Sequence, residues 1–121
     1  MIDKTVSVTM NEGDITRISI FLENANLRFK KSNIIKNYEE LNIFLFIYRN
    51  LLYGKHTRFK DLQAFSRKSD VYISNFIKAS VQNGSIDVKG NDKDKRQKLY
   101  LLTEKAKKAI ASFSFNKKID Q

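Results

Sequence analysis

The chain has 121 residues, 41% of them hydrophobic and 12% aromatic, which suits one folded domain and speaks against wholesale disorder. It contains no Cys and one His, which excludes a disulfide scaffold, a thiolate zinc site and a Cys nucleophile, and leaves too little for a His-based metal cluster or a Ser-His-Asp relay. Lys and Arg number 23 against 13 Asp and Glu, a net charge of +10.

That excess is uneven. Residues 1–53 carry seven basic and six acidic side chains (net +1), whereas residues 54–121 carry sixteen and seven (net +9). A basic half on a compact chain suits a polyanion, either nucleic acid or an anionic membrane surface. The opening residues Met1 to Thr5 lack the apolar core of a signal peptide, and no run approaches the ~18 apolar residues of a membrane span. A cytoplasmic setting with no membrane role is expected.

With no Pro and four Gly, the chain has few breakers and should be mainly helical. Residues 5–10 alternate with β-branched side chains and read as a short strand or extended arm. A turn at 11–13 leads to Asp14, a suitable N-cap for a helix to about Lys31. Its stripe of Ile15, Ile18, Phe21, Leu22, Ala25 and Phe29, widened by Ile20 and Leu27, implies packing on both sides. Asn37 followed by Glu40 has capping-box spacing and opens a helix that closes at Gly54. Apolar residues point nearly all round Leu41–Leu52, so this helix should be the most buried.

Thr57 begins a short helical segment to Ser66 with Phe59, Leu62 and Phe65 on one side. After the polar turn 66–69, Ser69 caps a helix over 70–83 that should bury Ile73, Phe76, Ile77 and Val81. Gly84 ends it. Residues 86–89 and 98–102 alternate as strands of a hairpin around the charged loop 90–97. Thr103 caps a last helix, 104 to about 115, with Ala106, Ala109, Ile110 and Phe113 inward, and a frayed tail over 116–121.

Two short helices across a tight turn, followed by a hairpin with a basic tip, form a winged helix-turn-helix. The fold class is therefore mainly α with a small β-hairpin wing, as one domain. Residues 1–36 form an N-terminal arm and dimerisation helix, 37–103 the winged helix-turn-helix, and 104–121 the C-terminal helix and tail. After Asp70 the exposed face of helix 70–83 has no carboxylate, so it can enter a major groove without repelling phosphates.

From Ile73 to Ala109 most firmly, and over roughly residues 38–113, the sequence resembles the MarR/SarA family of winged-helix bacterial regulators. The resemblance is carried by the apolar positions Ile73, Phe76 and Ile77, by Gly84 and Ile86, by Asp94-Lys95-Arg96 in the wing, and by Leu102-Thr103-Glu104 at the strand end. It implies that Arg96 enters a minor groove and that Asp94 steadies it. Three features depart from the family pattern: Ser80 stands where a core Leu is usual, Ala106 replaces a Gly, and the C-terminal helix is short. The departure at 80 suggests that Val81 fills the core instead.

The expected function is sequence-specific binding of double-stranded DNA by a homodimer that regulates transcription as a repressor. Tyr72, Ser74, Asn75 and Lys78 are the candidates for base readout, and Arg58, Arg67, Lys68 and Ser69 for phosphate contact. Lys93, Asp94, Lys95 and Arg96 form the wing, and Ile15, Ile18, Phe21 and Leu22 the dimerisation surface. No cofactor, metal or enzymatic activity is expected. Asp92 and Asp94 lack a pocket as a catalytic pair, and His56 reads as a surface residue. A small-molecule effector would use an apolar cleft between helix 14–31 and the winged region. Two rivals remain at this level: a replication, partition or nucleoid-associated protein of a mobile element, which would cover many AT-rich sites, and a protein-interaction module, which would show no salt-sensitive DNA affinity.

Overall fold

The computed structural model describes residues 9–113; of the strand or arm expected over 5–10, residues 5–8 lie outside them and residues 9 and 10 are not in a strand, and the residues from 114 onward also lie outside. Among the described residues there are five helices and one three-stranded antiparallel sheet.

Helix α1 spans Glu12–Lys31 and is capped by Asn11, whose side-chain oxygen accepts from the Asp14 amide at 2.8 Å. Asp14 was expected as the cap. It instead lies inside the first turn, where its charge meets the positive helix end and pairs with Arg17. Of α1's stripe only Ala25 is buried. Ile15, Ile18, Ile20, Leu22 and Leu27 are exposed, and the Phe29 ring meets those of Tyr38 and Phe113, at 4.7 and 5.0 Å between centroids.

Helix α2, Tyr38–Leu52, begins as expected: the Asn37 side chain accepts from the Glu40 amide at 2.9 Å. Glu40 reaches back one residue further than a capping box requires, accepting from the Lys36 amide. Burial is confined to one stripe, Ile43, Phe44 and Ile47, while Leu45 and Leu52 are exposed. The partly buried Leu41, Phe46 and Tyr48 widen the packing beyond that stripe, Phe46 stacking on Phe65 at 4.1 Å between ring centroids. Gly54 closes α2 at φ 75°, a left-handed conformation that costs glycine little.

Thr57–Arg58 form a two-residue strand, β1, before α3, Phe59–Ser66. Strand β1 was not foreseen. It exists by pairing Thr57 with Tyr100 and Arg58 with Leu99 of the hairpin, and Asn50 of α2 anchors it through a 3.0 Å bond to the Thr57 hydroxyl. Helix α4, Asp70–Gln82, is capped by the Ser69 hydroxyl, which accepts from the Tyr72 amide. Strands β2 (Ile86–Gly90) and β3 (Lys98–Leu102) pair in register from Ile86↔Leu102 to Gly90↔Lys98, and β3 is central in the order β1-β3-β2. Thr103 caps α5, Glu104–Ala111, which stops short of the expected residue 115; Ala106 and Ile110 are buried and Ala109 and Phe113 half-buried.

The core lies where α2, α4, α5 and the sheet meet, with Phe44 and Phe76 rings 5.2 Å apart. On α4 the buried set is Ile73, Phe76, Ile77 and Ser80. Val81, expected inside, is 43% exposed and Ser80 only 3%. The reason is helical phase: positions 73, 76, 77 and 80 share one stripe, and 81 turns about a quarter-circle away from it. Beyond Gly84 (φ 81°), Ser85 ties off the helix, its amide and hydroxyl donating to the Ser80 carbonyl at 2.8 and 3.1 Å.

Candidate nucleic-acid interface

The turn between α3 and α4 is three residues, Arg67 to Ser69. It is tight because Arg67 adopts the left-handed conformation (φ 57°) and its amide closes on the Gln63 carbonyl at 3.0 Å. No glycine advertises this turn in the sequence. The N-terminal half of α4 then presents Ser74 and Asn75, both exposed, with Lys78 one turn further on. Asp70, the one carboxylate on this helix, bonds Gln63 of α3 and so sits at the helix start, beside the turn.

Tyr72 sits differently from its neighbours. It is half-buried against the core, with the Lys68 ammonium 5.3 Å from its ring centre. Burial first, and the nearby charges of Glu39 and Glu40 second, push its hydroxyl up from the ordinary value. Lys68 also pairs with Glu39 of α2, so its charge is partly engaged within the fold. Arg67 and Lys78, by contrast, have no ion pair among the described residues.

Arg58, expected to touch phosphate, is held by Asp61: the carboxylate accepts from the Arg58 amide at 2.9 Å and from Nε and Nη2 at 3.1 and 3.0 Å. Burial pushes the Asp61 carboxyl up, but Arg58's hydrogen bonds and charge outweigh it and hold the group below its ordinary value. The same partner raises the Arg58 guanidinium, chiefly through the hydrogen bond.

The wing is more ordered than a charged loop suggests. Asn91 and Gln97 close its base through backbone (3.2 Å) and side-chain (3.0 Å) bonds, and the Asn91 oxygen accepts from the Lys93 amide. Asp94 accepts from the Arg96 amide at 3.0 Å and lies 3.6 Å from the Arg96 Nε. Arg96 itself is 93% exposed at the tip, and Lys93 and Lys95 are exposed beside it. Sequence reasoning missed Asn91 and Gln97, whose spacing of six across the loop was the signal available.

A recognition-type helix braced by a second helix, with a β-hairpin beside it, defines the winged helix-turn-helix class. Comparison with solved structures gives the same fold. MepR from S. aureus, in a structure bound to an oligodeoxyribonucleotide, superposes with a TM-score of 0.69 at 16% identity over 87% of this chain and 75% of that one. PefR from Streptococcus agalactiae, a heme sensor protein in complex with heme, gives a TM-score of 0.62 at 20% identity over 82% of this chain, which spans 65% of PefR. A structure of MepR bound to ethidium bromide gives 0.66 at 15% identity, over 86% and 73% of the two chains. No family model and no curated protein sequence matches the chain. The fold is thus the winged helix that the wing and helix motifs implied.

Among the described residues, no helix is long and apolar enough to cross a membrane, and no group of three His, Asp or Glu could hold a metal ion. The described apolar hollow on α1, about 340 Å³, is lined by Met10, Asp14, Arg17, Ile18 and Phe21, far along the helix from its contact at Phe29.

Proposed function

We propose that this chain binds double-stranded DNA as a homodimer and regulates transcription as a repressor, in the cytoplasm and without enzymatic activity. The observation that carries this reading is the exposed face of α4: Ser74, Asn75 and Lys78 without a carboxylate, beside the cationic wing tip at Arg96. Ser74 and Asn75 read base edges in the major groove, Arg96 reads groove width next to it, and Arg67, Lys78, Lys93 and Lys95 supply phosphate contacts with Arg58, Lys68 and Ser69 at the margin. Residues 37–103 are the DNA-binding unit, and α1, through Ile15, Ile18, Phe21 and Leu22, brings two copies together. The MepR complex with an oligodeoxyribonucleotide supports the DNA partner. The heme and ethidium complexes of PefR and MepR support a small-molecule effector.

The test separates helix from wing. Titrating operator and scrambled duplexes at two salt concentrations, Asn75→Ala narrows the gap between the two duplexes by ~1–3 kcal/mol and leaves the salt slope unchanged. Arg96→Ala weakens binding to both duplexes, more so beside A-tracts, whose narrow minor groove attracts a guanidinium. Equal losses on both duplexes for Asn75→Ala remove α4 as the reading helix. A salt-independent affinity for the wild type removes the DNA reading altogether.

A further inference from the structure

Helix α4 turns one stripe to the core and the opposite stripe outward. Val71, Ser74, Asn75, Lys78 and Gln82 are all exposed and fall within an arc of about 100° that faces directly away from Ile73, Phe76, Ile77 and Ser80. Four members of the outward stripe are polar or charged. The fifth, Val71, is apolar and 68% exposed.

A single exposed apolar side chain is ordinary on a protein surface. Val71 differs by its place. Of the first turn of α4, Asp70 is turned to Gln63 of α3, Tyr72 packs on the core and Ile73 is buried. Among residues 70–73, Val71 is therefore the one that points outward, at the helix end whose residues meet base edges first. Valine is also a poor choice for a merely solvated position there. A β-branched residue forms helix less readily than Ala, Lys or Glu, and a carboxylate would gain from the positive helix end. Its stiffness suits a contact instead: β-branching leaves one strongly preferred rotamer in a helix, so little side-chain entropy is lost when a partner packs on it.

In the major groove, thymine is the standard base that carries an apolar group, its 5-methyl. We propose that Val71 is a specificity-determining residue that packs on a thymine 5-methyl group. The contact rests on the DNA-binding role proposed above and adds to it an apolar reading of one named base, which hydrogen-bonding side chains do not provide. Val71 and Asn75 are one turn apart, about 6 Å along the helix axis, against a base-pair rise of about 3.4 Å. The thymine therefore lies one or two base pairs from the edge that Asn75 reads. Cytosine is rejected at that position, because it has no methyl and presents an amine that Val71 cannot satisfy.

A duplex is selected from a random-sequence pool by the wild-type protein, and each of its thymines is replaced in turn by deoxyuridine. Deoxyuridine pairs with adenine and keeps the O4 acceptor, so the methyl is the one group removed. Wild type, Val71→Ala and Asn75→Ala are titrated against every duplex. Position 71 is exposed and Ala is the best helix former, so Val71→Ala melts no lower than the wild type. At one thymine, deoxyuridine weakens wild-type binding about fourfold, the worth of a methyl withdrawn from water, and Val71→Ala by less than about twofold. Asn75→Ala keeps the wild-type response there, because methyl and hydrogen bond are read by separate side chains. If no thymine responds, or if Val71→Ala responds as the wild type does, Val71 is a solvated residue; the thymine contact is overturned and the DNA reading stands. If the pool yields no preferred sequence, the thymine contact falls together with sequence-specific reading, and the salt dependence of wild-type binding shows whether duplex affinity itself survives.

Discussion

Arg67 shows how much one backbone angle governs the interface. At φ 57° it pays the cost of the left-handed region for a side chain with a Cβ, about 1 kcal/mol, and this sets the turn that aims α4. The position would suit glycine conformationally, yet arginine places an exposed cation beside the start of α4. Arg67→Gly is therefore expected to pull stability and binding in opposite directions. The melting temperature rises by up to about 4 °C, since the strain relieved exceeds the extra freedom glycine has when unfolded. Duplex affinity falls, and the salt slope drops by about 0.9 as one phosphate contact is lost. Thermal melts and titrations at two salt concentrations check both halves; a lower melting temperature refutes the strain argument.

Helix α3 is short, and its start depends on one carboxylate. Asp61 accepts from the Arg58 amide and guanidinium together, joining β1 to the first turn of the helix. Its ionisation is held below the ordinary value of 3.8. A carboxyl depressed in the folded state stabilises the fold above its unfolded value, and that contribution is lost as the pH falls through the folded one. Asp61→Asn is expected to cost about 1 kcal/mol at pH 7, the worth of a helix-start acceptor. The difference from wild type then closes as the pH falls below the ordinary 3.8 and through the depressed folded-state value, where the wild-type carboxylate takes up its proton. Urea denaturation across that range measures it. A gap that is unchanged at the acid end would show that the hydrogen bond matters and the charge does not.

At the scale of the whole molecule, α1 is the element that the single chain leaves unsatisfied. Ile15, Ile18 and Leu22 recur at helical spacing and are all exposed, while near the other end of the helix Ala25 is buried and Phe29 packs on Tyr38 and Phe113. Apolar surface of that kind marks an interface, and in a symmetric dimer each residue is buried twice. Ile18→Glu is expected to weaken self-association about a hundredfold or more, because a carboxylate is desolvated in both copies. Melting of the winged region changes little, since Ile18 is remote from its core. Sedimentation at micromolar concentration distinguishes dimer from monomer, and an unaltered wild-type-like dimer would place the interface elsewhere.

What the sequence by itself determined was whatever is settled within about one helical turn. Asn37, Ser69 and Thr103 cap helices by bonds to amides three residues on, and Gly54 and Gly84 end helices by their own backbone freedom. The hairpin, the order of elements and the exposed face of α4 followed from such local signals. Tertiary structure alone decided the features that need partners distant in the chain. Thr57 and Arg58 become a strand only because Tyr100 and Leu99 lie opposite them. Lys68 turns to Glu39 of α2, and Lys105 donates to the Asn83 carbonyl at 2.7 Å, so both charges are directed by neighbours that no spacing rule identifies. Tyr100 reads as one more strand residue, and only the packing of the helices against the sheet places it in the core. The division is physical: capping and periodicity are short-range and written in adjacent residues, whereas pairing, burial and net charge at a point in space depend on where the chain returns.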